Sequence, residues 1–152
     1  MLIRLIIQQY VGEIMKAIIF HSQSSDLRSK KIAESFDGTI FEIKSLEKKM
    51  SKFCTMFIYG FKTVFSKKVK FLKPEIDFSL YDEIVIVSPV WAGRVNIFVS
   101  SYLKEVNIEN KRITLVGSCD GGYKNYFESF NNVLSDTNEV VERIIYVKGI
   151  RL

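Results

Sequence analysis

The chain has 152 residues, 47% of them hydrophobic and 13% aromatic, which argues against disorder and suits one domain with a sizeable core. Cys54 and Cys119 lack C-x-x-C spacing and there is a single histidine, so neither a zinc site nor a disulfide framework is expected. The net charge of +5 is uneven: residues 44–73 hold nine lysines against one acid, Glu47, leaving that segment at +8 and the remainder at −3.

In chain order, strand and helix patterns alternate. Lys16 to His21 is a short apolar run of the kind found in buried parallel strands. Ser29 to Phe36 reads as helix, closed by Asp37-Gly38, and Thr39 to Ile43 as a second strand. Leu46 to Val69 places Phe53, Phe57, Phe61, Val64 and Phe65 at helical spacing, so these are expected to pack on the sheet. Lys48, Lys49, Lys52, Lys62, Lys67 and Lys68 should then face water. Asp82 to Ser88 is a third strand, Val95 to Glu105 a helix, and Lys111 to Ser118 a fourth strand. Helix is expected over Tyr123 to Leu134, and a fifth strand over Val140 to Val147. Five strands alternating with helices imply a doubly wound α/β sheet with right-handed crossovers.

Three polar loops follow three of these strands. They are Ser22-Gln23-Ser24-Ser25-Asp26-Leu27-Arg28-Ser29, Ser88-Pro89-Val90-Trp91-Ala92-Gly93 and Ser118-Cys119-Asp120-Gly121-Gly122-Tyr123. In an open parallel sheet such loops share the carboxyl edge, where ligands bind at the topological switch point. Hydroxyls and amides in the first suit a phosphate. An aromatic face beside glycines suits a flat ring system. Cys119 has no base within a recognisable triad and reads as a buried filler; His21 reads as structural.

The segments Met15-Lys-Ala-Ile-Ile-Phe-His-Ser-Gln-Ser, Tyr81-Asp-Glu-Ile-Val-Ile-Val-Ser-Pro-Val-Trp-Ala-Gly and Val116-Gly-Ser-Cys-Asp-Gly-Gly-Tyr together resemble the flavodoxin family. The resemblance runs from Met15 to about Val147. It implies a flavodoxin-like, five-stranded parallel sheet of order 2-1-3-4-5 and an FMN cofactor. It would place the phosphate at Ser22, Gln23, Ser24, Ser25 and Ser29, with Arg28 balancing charge. The flavin ring would sit at Pro89, Val90, Trp91, Ala92 and Gly93, opposite Cys119, Asp120, Gly121, Gly122 and Tyr123. The first loop departs from the family pattern in lacking glycine and in being longer.

The resemblance implies a cytoplasmic carrier of one or two electrons between redox partner proteins. An NAD(P)H-dependent FMN or quinone reductase of the same fold is the alternative, and a flavin-free binding module a third. The lysine-rich segment is either a solvated face or a docking site for an acidic redox protein. Neither a nucleic-acid nor a membrane partner is expected, since no nucleic-acid module accompanies the charge and no apolar run spans a bilayer. The helix that usually follows the fifth strand in flavodoxins is missing from the pattern, while residues 1–14 precede the domain at 15–152. That segment is either a misassigned leader or a helix with Ile3, Ile6, Ile7, Tyr10 and Ile14 on one face, and a homodimer would be another way to cover the sheet.

Overall fold

The computed structural model describes residues 14–23, 27–47, 54, 57, 58, 61 and 68–152. Three buried runs, Ala17–Phe20, Ile84–Val87 and Ile113–Val116, apolar except for Thr114, are covered on both faces and form the centre of a parallel sheet. The strands are β1 (Lys16–Phe20), β2 (Thr39–Glu42), β3 (Lys44–Ser45), β4 (Phe71–Leu72), β5 (Glu83–Trp91), β6 (Arg94–Val95), β7 (Arg112–Cys119), β8 (Glu139–Val147) and β9 (Ile150–Arg151). Two α-helices lie among the described elements, α1 (Arg28–Glu34) and α2 (Ile97–Val106), with short 3-10 turns at Phe78–Leu80 and Glu128–Asn132.

The main sheet runs β2-β1-β5-β7-β8-β9. Its first five strands are parallel, aligning Ile18 with Ile40 and Val85, Ile86 with Leu115, and Val116 with Ile144. Counting only those five in chain order, the arrangement is 2-1-3-4-5, the flavodoxin-like doubly wound α/β fold. β9 returns antiparallel to β8 through Lys148 and Gly149, both at positive φ.

Alternation along the strands divides the core. Ala17, Ile19, Ile84, Ile86, Ile113 and Leu115 face α2, whose Phe98, Tyr102 and Leu103 are fully buried. Each such side chain contributes about 1.5–3 kcal/mol on leaving water. Ile18, Phe20, Val85, Val87, Val116 and Ile144 point the other way, onto Ile32, Ala33 and Phe36 of α1 and the turn after it.

Several expected elements differ. Residues 123–134 form turns and the 3-10 segment at Glu128–Asn132 in place of a regular α-helix. Tyr126, Phe130 and Val133 bond to carbonyls three residues back, and the Ser129 hydroxyl is committed to Val95 N and Tyr126 O. The expected helix over 46–69 is flanked by an unforeseen antiparallel ribbon, β3–β4. Within it Cys54, Phe57, Ile58 and Phe61 are helical, but Phe57 and Phe61 are exposed instead of packing on the sheet. Lys68 is exposed as expected, while Phe53, Val64, Phe65, Lys48, Lys49, Lys52, Lys62 and Lys67 lie outside the described residues. β5 continues past Ser88 to Trp91 because β6 folds back on it, pairing Val90 with Val95 and Trp91 with Arg94.

Candidate functional site

The carboxyl ends of β1, β5 and β7 bring the three loops to one edge of the sheet. Arg28, at the start of α1, donates to Asp120 Oδ1, joining the first loop to the third across 92 residues of chain. Gly93 lies against the third loop as well: a Cβ on it would sit 3.6 Å from Gly122 O. The first and third loops, and the second and third, are therefore direct neighbours.

In the first loop, Ser22 and Gln23 are half-buried, Ser29 is buried, and residues 24–26, with Ser24 and Ser25, lie outside the described residues. Ser22 Oγ and Gln23 Oε1 are shielded from solvent with no hydrogen-bond partner among the described residues. Helix α1 (Arg28–Glu34) is preceded by Leu27 at its N-cap, which holds a left-handed φ of 53° and makes no side-chain cap hydrogen bond.

His21, at the base of this loop, is buried and stacks on Phe98 with ring centres 4.6 Å apart. Its Nδ1 lies 2.7 Å from Ile43 O, a geometry satisfied by an Nδ1–H donor. Burial lowers its pKa, against smaller opposing contributions from the Ile43 carbonyl and the nearby Gln23 amide. The Gln23 contact falls short of a hydrogen bond of ordinary geometry, since neither His21 Nε2 nor Gln23 Oε1 has a partner among the described residues.

The second loop is a β-hairpin tip with two anchors. Ser88 Oγ accepts from Asn96 N at 3.2 Å and donates to Pro89 O at 2.8 Å. Asn96 caps α2 by accepting from Phe98 N at 2.8 Å. On the other side Val95 N donates to Ser129 Oγ at 2.9 Å. Pro89, Val90 and Trp91 are half-buried, and the turn itself is Ala92-Gly93, with φ of 50° and 71°. Such paired left-handed residues match the twist of a two-residue hairpin, and alanine bears a steric cost there.

In the third loop, Cys119 is buried, its thiol pushed up in pKa by burial and directed at Tyr146 O, 3.6 Å away. Asp120, Gly121 and Gly122 are exposed, and Tyr123 packs partly on the core. A Cβ at Gly121 or Gly122 would meet nothing within 4 Å, so this backbone faces open space. Tyr126 fixes the segment below: fully buried, it donates to Val116 O at 2.7 Å. Among the described residues no cluster of three His, Cys, Asp or Glu side chains is arranged to hold a metal.

Three features went unseen in the sequence: the Arg28–Asp120 bridge, the Ser88–Asn96 anchor and the β6 return. A partner for β5 is signalled only by Ala92-Gly93 between Trp91 and Arg94, a weaker turn signal than Asn-Gly.

The strand order and loop placement define a flavodoxin-like α/β protein. No family model matches the chain, and no curated protein matches it. Among solved structures it is similar to a flavoprotein from Lactobacillus acidophilus NCFM determined in complex with FMN, with TM-score 0.74 and 23% identity over 88% of this chain and 93% of that one. A candidate flavoprotein from Bacteroides eggerthii DSM 20697 gives TM-score 0.70 and 11% identity, covering 88% of each chain. One from Bacteroides uniformis ATCC 8492 gives 0.68 and 16%, covering 90% of this chain and 93% of that one. At these identities the likeness is one of fold.

Proposed function

We propose that this protein binds FMN at the edge formed by the three loops and carries electrons between redox partners. The observation behind this reading is the convergence of those loops at the switch point beside β1, with the Arg28–Asp120 and Gly93–Gly122 neighbourhoods joining them. The residues fit such a ligand on two counts. Buried polar atoms ordinarily have partners, and Ser22 Oγ and Gln23 Oε1 lack them among the described residues, so a polar ligand group would complete them. The open backbone at Gly121 and Gly122 admits close approach of a flat ring. The Lactobacillus acidophilus neighbour, solved with FMN, lends the same reading its support.

In this account Ser22, Gln23, Ser24, Ser25 and Ser29 hold the phosphate. Arg28 lends positive charge while Asp120 holds it in place. Trp91 walls the ring on one side and Tyr123 on the other, with Pro89, Val90, Cys119 and the glycines shaping the slot. The Ala92–Gly93 turn would offer a backbone group to the ring. Bound FMN supplies reversible one- and two-electron chemistry; the chain orients it, excludes water and sets its electronics. A carrier is favoured over a direct NAD(P)H oxidase because no Gly-x-Gly-x-x-Gly fingerprint occurs in the chain.

Stopped-flow absorbance with FMN-loaded protein tests this. Rapid reduction by a separate flavodoxin reductase together with slow oxidation of NADH and NADPH alone supports the carrier. Rapid turnover of NAD(P)H with quinone and no added reductase contradicts it.

A further inference from the structure

The β3–β4 ribbon has two unlike faces. Lys44 lies opposite Leu72, and Leu46 N donates to Lys70 O, so Lys44, Leu46, Lys70 and Leu72 share one face. All four are exposed, Leu46 at 62% and Leu72 at 55%. Ser45 and Phe71 occupy the other face, where Phe71 packs on the core. Lys68 and Lys73 beside the ribbon are also exposed. The chain between the two strands presents Phe57 and Phe61, one helical turn apart and 72% and 51% exposed. The one acid of this region, Glu47, accepts from Lys70 N at 3.0 Å.

We propose that this ribbon docks the protein on an anionic lipid bilayer surface. Leu46 and Leu72, with Phe57 and Phe61, enter the boundary between headgroups and acyl chains, and the lysines meet lipid phosphates. Interleaved lysine and leucine fit this occupant better than an acidic protein, because cores of protein interfaces are depleted in lysine, whereas interfacial elements combine basic and apolar groups. Charge complementarity is strong, nine lysines against one acid over residues 44–73. Peripheral docking needs no spanning segment, so the lack of a long apolar run does not oppose it. The ribbon leaves the sheet after β2, at the carboxyl edge that also carries the three loops, so docking holds that edge beside the bilayer. The proposal is independent of FMN binding.

Co-sedimentation of the full chain with phosphatidylcholine vesicles, with and without phosphatidylglycerol, tests it. Binding is expected only with phosphatidylglycerol and should weaken as salt rises. Lys44→Gln with Lys70→Gln should weaken it about 30-fold, from roughly a fivefold loss per lysine. Leu46→Ser with Leu72→Ser should weaken it about tenfold or more, while Lys104→Gln on α2 changes nothing. Unshifted melting temperatures confirm that the variants remain folded. Equal binding to pure phosphatidylcholine, no binding to either vesicle, or indifference to the leucine changes would overturn the proposal. So would protein that ignores vesicles but binds polyglutamate through the same lysines, which would assign the face to an acidic protein partner.

Discussion

His21 is a neutral imidazole held in place by Ile43 O and Phe98, and its burial makes protonation costly. Its folded pKa lies below the unfolded value, so the unfolded chain takes up the proton first. The stability it contributes is present above about pH 6.5 and declines as pH falls from there toward the folded pKa. Melting temperatures measured downward from about pH 7 should therefore fall for the native protein and fall less steeply for His21→Asn. Identical slopes would show that the imidazole does not govern this range. Gly117 is a second sensitive position, where a Cβ would lie 2.6 Å from Ile145 Cδ1 and 2.7 Å from Tyr126 Cε1. The Tyr126 ring is tethered through its hydroxyl, so Gly117→Ala should cost about 1–3 kcal/mol, read as a shift in denaturant midpoint. In the site, Trp91→Ala should weaken FMN binding about tenfold, measured by flavin fluorescence, through lost ring contact.

The β5–β6 hairpin is the element on which the site's geometry rests. Removing the Asn96 side-chain cap by Asn96→Ala should cost about 1 kcal/mol of stability and also loosen the Ala92-Gly93 tip, lowering FMN affinity beyond what the stability loss predicts. Equal FMN affinity in that variant would detach the tip from the cofactor. How legible each element was follows from its packing. β1 and β5 announced themselves because burial on both faces demands apolar runs, and β7 did so with a run broken only by Thr114. The two return hairpins did not, since Ala92-Gly93 and Lys148-Gly149 lack the Asn or Asp that usually marks such turns. Residues 123–134 misled because apolar spacing of three or four suits a 3-10 turn nearly as well as an α-helix, and the deciding bond, Val95 N to Ser129 Oγ, comes from another element. β3 and β4, two residues each, are too short to show any period.

At the scale of the whole molecule, one edge of the sheet gathers the three loops of the proposed site. The loops were readable as segments, but their contacts were not: Arg28 and Asp120 are 92 residues apart, and only the β1-β5-β7 order brings them together. The charge is likewise polarised, its excess lying in residues 44–73 while the remainder is net acidic. Among the described residues no helix is long and apolar enough to cross a membrane.

Whether this edge holds FMN is decided by the flavin content of the purified protein. The purified protein should be yellow and release FMN stoichiometrically on denaturation, or be colourless and take up FMN to the same level on titration. Protein that is colourless and leaves added FMN fluorescence unchanged would contradict it.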